Sequence, residues 1–533
     1  MNGRSRDIAA GGNGRRGFVL IIVMVIVAMV AFAGFAFVNT MSDEYRAVDT
    51  NGDQLEAEQT LASAELAVLM ALDQRDSEEV VRGPQTAESD VGQDPLFDNP
   101  LLFQEQLVLP TREEQTAEDD ELAWRFSVVS PNRNDDLAGA ERPLRHGLEN
   151  ESARLHLATL MEIDAIDPER SRDVLLGFPG MTESAADSLL DWLDADSEPR
   201  QSGAEAQDYL DRPNPVKPRN GLPVGLDEIL LVRDVPRLLL FGPDENRNFV
   251  LDRGESNPRD ALIGGGVQES DETLNGLGWA DLLTLDSAER NVDSRGEPRI
   301  DLNQPDMNRL RQELAAVFPA EVADFVILYR THGPAGRVSG VSSNSGGPTS
   351  PGTVRSSLSS VADLIGATVS ASDGSSSQVL QSPVTADSRE LLEALLDRTT
   401  TDPNPVIPGR INVNLAARPV LRAVPGLDDE NIERIVGRRS MLEGPQSQTV
   451  SWLLTEQILT LEQFREALPY ITSGGDVYRA QLIAWRPTGG MYRRAEVICD
   501  ATRPRARRLA YRDLSAFGAA IPVAWLSQLE AVR

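Results

Sequence analysis

Residues Phe18 to Val38 form a run of 21 with no charged side chain and no proline. At about 1.5 Å per residue such a run makes a helix of roughly 30 Å, the thickness of a bilayer's hydrocarbon core. Arg15 and Arg16 precede it, and Asp43 and Glu44 follow it. A basic flank stays on the cytoplasmic side, so the roughly 490 residues beyond the run are expected across the membrane. The expectation is a single-pass chain with a cytoplasmic N-terminus.

The junction at the head of this run carries a second message. A secretory signal peptide is cut after its apolar run, at small residues. Ala31, Ala33, Gly34 and Ala36 are small, but no clean cleavage site with a polar break follows them. Instead Gly17 sits just before the run and the bulky Phe18 opens it. This junction resembles a type IV prepilin leader, here Met1–Gly17. The resemblance implies that a prepilin peptidase cuts after Gly17 and that Phe18 becomes a methylated N-terminus. An ordinary uncleaved anchor fits the same stretch. Most pilins and pseudopilins carry glutamate at the fifth mature residue, and here that residue is Ile22. A carboxylate without its partner is costly in lipid. The minor pseudopilin K of type II secretion systems is known for lacking this glutamate, so Ile22 departs from pilins in general and agrees with that member.

The chain has 533 residues, enough for two to four domains. Its apolar content of 41% is that of a globular protein. The net charge is −32, and the leader holds four arginines against one aspartate, so the mature chain is near −35. Such a surface repels phosphate backbones and suits cations. The lone Cys499 excludes an internal disulfide, so the exported part is expected to be held by its cores, with metal as a second means.

From Thr40 to about Asp73 the apolar period continues the helix. Leu55, Leu61, Leu66, Val68 and Leu69 mark its inner face, and Glu56, Glu58 and Glu65 its outer positions. The acidic stretch Glu78–Asp120 reads as loop, and Trp124–Val129 as a strand. Three segments then resemble one another. Leu155-His-Leu-Ala, Ile300-Asp-Leu-Asn and Ile411-Asn-Val-Asn each open a helical stretch. Each stretch reaches a turn, at Phe178-Pro-Gly, Phe318-Pro and Val424-Pro-Gly, before another helix at Ser184–Leu193, Glu321–Tyr329 and Asp429–Arg438. Helix, tight turn, helix resembles a helix-hairpin-helix unit. Such units often bind DNA, which needs a positive surround. Here Asp191, Asp194, Asp196 and Glu198 follow the first, so a packing role is expected and no nucleic-acid partner. Gly333–Gln378 is rich in glycine and serine and reads as a linker. Ala480–Trp485, Arg494–Asp500 and Arg508–Tyr511 read as strands, with Arg503–Arg508 at a hairpin tip.

The resemblance to the pseudopilin K family now covers most of the chain. It rests on Leu148-Glu-Asn-Glu-Ser-Ala-Arg-Leu-His-Leu, on Asp191-Trp-Leu-Asp-Ala-Asp followed by Gly203-Ala-Glu and Tyr209, and on Leu226-Asp-Glu-Ile-Leu-Leu-Val. Ile411-Asn-Val-Asn-Leu-Ala with Val420-Leu completes it. It implies an α+β fold: an N-terminal transmembrane and stem helix, and a pilin-like α/β domain with a large, mainly helical insert containing helix-hairpin-helix-like units. The expected divisions are a leader at 1–17, the transmembrane and stem helix at 18–80, and the first part of the pilin-like domain at 81–154. The insert follows at 155–332, the linker at 333–378, the third unit at 379–440 and the C-terminal sheet at 441–533. The resemblance further implies a subunit at the tip of the type II secretion pseudopilus, serving protein secretion across the outer membrane. Its anchor would lie in the inner membrane and its bulk in the periplasm. Its implied partners are the I and J minor pseudopilins, other type II secretion components and the prepilin peptidase.

Asp244-Glu-Asn-Arg-Asn-Phe-Val-Leu-Asp-Arg-Gly-Glu255 has the spacing of a calcium loop. Asp244, Asn246 and Asn248 fall at positions one, three and five, the Val250 carbonyl at seven, Asp252 at nine and Glu255 at twelve. Phe249 replaces the glycine of position six, where the turn favours a residue free of steric limits. Pro236 and Pro243 argue against an entering helix. The expectation is a calcium-binding loop without a full EF-hand; an acidic surface turn has the same composition. A second cation candidate is Asp191, Asp194 and Asp196 with Glu205, which the family resemblance also favours because pseudopilin K is known for calcium in its helical domain. Catalysis finds no motif. His146, His156 and His332 have no metal-ligand spacing, Gly264-Gly-Gly lies in a loop without a βαβ context, and no nucleophile elbow or Walker loop occurs. The chain is therefore expected to be no enzyme. A membrane-anchored DNA-uptake protein and a calcium-stabilised anchored surface protein are the other readings of the same features.

Overall fold

The computed structural model describes residues 16–75, 96–108, 123–132, 143–213, 215–250, 252, 255, 278–335, 356–372, 377–442, 447–488, 492–518 and 521–527. Outside them lie the leader before Arg16, most of the acidic stretch 78–120, the Gly264 triplet and the linker's 336–355. The fold is α+β. One helix runs unbroken from Arg16 to Gln74, because nothing in it lacks a backbone donor and its polar half needs no break. Its first half is apolar on every side and exposed along its length, as a lipid-facing helix must be. Among the described residues it is the one helix long and apolar enough to cross a membrane.

The second half is the stem, and it lies on an antiparallel sheet. The strands are β1 (Gln106–Leu107), β2 (Arg125–Pro131), β3 (Leu144–Arg145), β4 (Glu149–Asn150), β5 (Val477–Trp485), β6 (Arg493–Asp500) and β7 (Arg507–Asp513). Their order is β1-β2-β5-β6-β7, with β3 paired to β2 and β4 to β5. The register sets Val128 opposite Leu482 and Leu482 opposite Ala495. Strand side chains alternate between faces. Phe126, Val128, Leu482, Ala484 and Val497 therefore meet the stem, while Val129, Ile483 and Trp485 form a smaller core with Ile521 and Leu526 on the other face.

The stem's inner face differs from the expected one. Its buried seam is Ala57, Leu61, Ala64, Val68, Ala71 and Leu72, whereas Leu55 and Leu66 are 59% and 58% exposed. Alanines let the helix axis approach the sheet closely, so the seam is set by small residues more than by large ones. The acidic positions flank it with ion pairs to the sheet's rim. Glu56 meets Arg486 at 2.7 Å and Glu65 meets Arg508 at 2.6 Å.

Between β4 and β5 the chain builds a helical insert with one apolar core from Leu155 to Ile471. Three similar units compose it. The helices after the turns are Glu183–Leu193, Ala320–His332 and Asp429–Arg439. Gly180 and Gly426 adopt the left-handed backbone at the first and third turns (φ 65° and 81°), where a side chain would be strained. Each unit also closes on itself. The opening pairs Leu155–His156, Ile300–Asp301 and Ile411–Asn412 lie parallel to Leu283–Thr284, Thr399–Thr400 and Ile471–Thr472.

Two divisions differ from expectation. Residues 356–378 of the expected linker are not all linker: Leu358, Val361, Leu364 and Val369 are buried, and Thr368–Ser372 pairs with Ser377–Gln381 as a hairpin. Residues 441–471 belong with the insert, because Trp452, Leu453 and Phe464 join its core and the sheet resumes only at Val477. Serine and glycine masked the scattered apolar anchors of the first. The second lacks any composition change at its border.

Candidate functional site

The loop from Asp244 follows a five-residue helix, Arg237–Phe241, which Gly242 ends at φ 76°. An entering turn of helix is therefore present despite the flanking prolines. Both Asp244 carboxylate oxygens accept backbone N–H groups, from Asn248 at 3.1 Å and from Phe249 at 2.8 Å. Glu255 reaches back to the N–H groups of Asn246 and Asp252, at 3.2 and 2.9 Å. The Asn246 and Asn248 amides both donate to Asp252, at 2.8 and 2.9 Å. Thus positions one, three, five, nine and twelve converge on one another. Burial pushes the Asp244 carboxyl up to about 6, with the Glu255 charge adding to it and the loop N–H groups opposing. The Asn246 Oδ1 is buried without a hydrogen-bond partner. Leu251, Arg253 and Gly254 lie outside the described residues.

Phe249 does take the left-handed conformation of position six, at φ 70°, against the expectation that phenylalanine resists it. The reason is its ring, which packs on the small core of Val129, Leu144 and Trp485. Packing offsets the backbone strain. Behind the loop, the Arg494 guanidinium donates to the Arg247 carbonyl at 2.8 Å and to the Asn246 carbonyl, and the Gln481 amide donates to the Arg247 carbonyl at 3.0 Å. Sequence reasoning missed both holders, which come from strands about 240 residues away.

The second cluster sits where the helix Glu183–Leu193 ends. Asp194, Asp196 and Glu205 each offer a carboxylate oxygen, all within 4.8 Å of one another. Asp194 Oδ1 and Glu205 Oε1 are buried and accept no hydrogen bond. Burial raises the pKa of both carboxyls, and the neighbouring acids raise them further. Asp191 does not join the trio. It turns to Arg200, whose guanidinium meets Asp191 at 2.9 Å, Asp194 at 2.7 Å and Asp164 at 2.8 Å. Gly203 makes room, since a Cβ there would fall 1.8 Å from Asp191 Oδ2. Arg200 was the unread member: nothing in its spacing says that it folds back onto the acids.

The hairpin turns are engaged inside the head. Arg170 of the first unit donates to the Val424 carbonyl at the third turn, at 2.6 Å. Trp279 donates to the Pro179 carbonyl at the first turn, at 2.9 Å. A Cβ on Gly426 would lie 2.7 Å from the Gln463 carbonyl. These turns serve packing. Gly17 lies in the first turn of the N-terminal helix.

The family model described as type II secretion system (T2SS), protein K, matches residues 154–240. Over these residues the chain is similar to the protein K family of the type II secretion system. The matched segment holds the first helical unit and the whole Asp191–Glu205 cluster, and it stops just before Asp244. The resemblance read from Asp191–Asp196, Gly203–Glu205 and Leu226–Val232 falls inside these matched residues. No curated protein matches the chain. Among solved structures, a chain of the crystal structure of the GspK-GspI-GspJ complex from the enterotoxigenic Escherichia coli type 2 secretion system matches over 87% of this chain and 98% of its own. The identity is 12% and the TM-score 0.30.

Proposed function

We propose that this chain is a K-like minor pseudopilin at the tip of the type II secretion pseudopilus, a structural component of protein secretion and not a catalyst. The observation that carries the reading is the protein K match, which falls on the start of a helical insert in a sheet-and-stem domain. The N-terminal helix supports it, with Gly17 before Phe18 and with apolar Ile22 where a buried carboxylate would seek a partner. In this reading the helix holds the subunit in the inner membrane with the head in the periplasm. The prepilin peptidase removes Met1–Gly17, Phe18 is methylated, and the freed helix joins the filament. The bulky insert then leaves no room for a subunit above it. The partners are I-like and J-like minor pseudopilins, together with other components of the machine.

Calcium belongs to the same proposal. Asp194, Asp196 and Glu205 fit a hard cation, because two of their oxygens are buried without a partner and oxygen donors suit calcium. The loop fits less completely: Asp244, Asn246, Asn248, the Val250 carbonyl, Asp252 and Glu255 would hold the ion, but the asparagine amides first have to turn from Asp252. A bound ion would supply charge neutralisation within the fold.

Mass spectrometry of the mature protein tests the anchor. The expected N-terminus is methylated Phe18, and an intact Met1 leader overturns the pseudopilin reading. Mixing the protein with I-like and J-like subunits tests the assembly, with a stable complex expected on size exclusion.

A further inference from the structure

β7 closes one side of the sheet, and no strand pairs with its outer edge among the described residues. An unpaired edge offers a row of N–H and C=O groups to another chain. Five arginines fall within residues 503–512 of a chain whose net charge is −32. Arg507, Arg508 and Arg512 are tied to Asp500, Glu65 and Asp227. Arg503 and Arg505, on the hairpin before β7, are exposed and make no ion pair or hydrogen bond among the described residues. Charge alone is the ordinary guard of an edge against aggregation. A guard, however, needs no cleft beside it. Here a cleft of about 700 Å³ opens between the sheet and the insert, with Leu509 on one wall and Val224 and Leu415 among the others. Val224 is 84% exposed and Leu509 40%.

An edge, apolar side chains next to a cleft and a basic rim are the parts of a strand-addition site. Main-chain hydrogen bonds give the affinity, and pockets for alternate side chains give the choice of partner. We propose that β7 and this cleft take an extended segment of a neighbouring pseudopilin, with apolar and acidic residues in alternation. Its apolar side chains enter beside Val224 and Leu509, and its carboxylates meet Arg503 and Arg505. This rests on the pseudopilin reading, because it is the stem that brings neighbours together. Arg508 and Arg493 hold β7 and β6 against Glu65 and Glu58 of that stem, at 2.6 and 3.8 Å. A subunit aligned along the stem is thereby carried past this edge.

The test uses the full chain in detergent with purified I-like and J-like pseudopilins of the same system. The double variant Arg503→Glu/Arg505→Glu is expected to bind about tenfold more weakly, with a shallower salt dependence, while keeping its melting temperature. Val224→Asp, across the cleft, is expected to weaken the complex comparably. With a photo-crosslinking benzoylphenylalanine in place of Leu509, the adduct should map to an extended acidic stretch of the partner. Should the wild type form the complex and both variants match it within about twofold, or the adduct map to a helix, the edge is not the docking surface although the pseudopilin reading stands. If the wild type binds neither subunit, both fall together.

Discussion

Glu151 joins the sheet to the insert. It sits just after β4, is fully buried, and takes Arg479 at 2.6 Å and Arg154 at 3.1 Å. Burial alone would raise its pKa, but the charges of Arg479 and Arg154 outweigh that and hold the carboxyl below its usual range. A carboxylate with a depressed pKa stabilises the fold above its unfolded value, and the contribution is lost as pH falls through the folded value. Glu151→Gln leaves two buried guanidiniums short of an anion and should cost about 3–5 kcal/mol at pH 7. Urea melts should show this gap closing once the pH drops well below 4.5, the unfolded value. Asp244 has the opposite sign. Its pKa is raised to about 6, so its share of stability is present at low pH and is lost as pH rises from 3.8 through 6. In chelator, the wild type should lose stability over that window, and Asp244→Asn should flatten the slope; an unchanged slope would show that Asp244 titrates normally. Phe249→Gly relieves the backbone at position six but gives up ring packing, so the protein should lose about 2 kcal/mol while the loop becomes more receptive to a cation.

The stem shows how an element can be visible in a sequence while its packing is not. The apolar period announced a helix past Thr40, and the helix runs to Gln74. Size then misled, because Leu55 and Leu66 face away and Ala57, Ala64 and Ala71 face the sheet. A period gives a face, but a close helix-to-sheet approach selects small residues on it. Ala64→Leu should therefore cost about 1–3 kcal/mol by overpacking, while Leu66→Ala should stay within about 0.5 kcal/mol in thermal melts of the same protein. The three helical units were legible for a similar reason. Pro and Gly punctuate their turns, and an apolar-polar alternation opens each. Their closing pairs, such as Thr399–Thr400, were not, since two residues carry no period and parallel pairing is fixed by distant chain. Of the cation candidates, the acids were legible by composition. Arg200, which splits Asp191 from the other three, was not, nor was Arg494, which braces the Asp244 loop from β6.

At the scale of the molecule, the head has three cores and no disulfide to link distant parts. Its one cysteine, Cys499, is buried in the sheet, where burial pushes the thiol up to about 12 and leaves it inert. A chain of net charge −32 also gathers carboxylates where burial makes ionisation costly, at Asp194, Glu205 and Asp244. A divalent cation at these places would remove both costs, since it binds the folded arrangement and has little hold on the unfolded chain. At a concentration about a hundredfold above Kd, one such site adds about 2.7 kcal/mol. Calorimetry at pH 7 should therefore show Tm falling by a few degrees in chelator and returning with calcium. The two sites can be told apart. Asp194→Asn/Glu205→Gln should abolish the part of the response that belongs to the insert, and Asp244→Asn the part that belongs to the loop braced by the sheet. Because the insert and the sheet meet at Glu151, the two transitions should also move together in Glu151-intact protein and separate in Glu151→Gln. A wild type whose melting is the same with calcium and with chelator would mean that Arg200 and the loop amides already balance these acids without an ion.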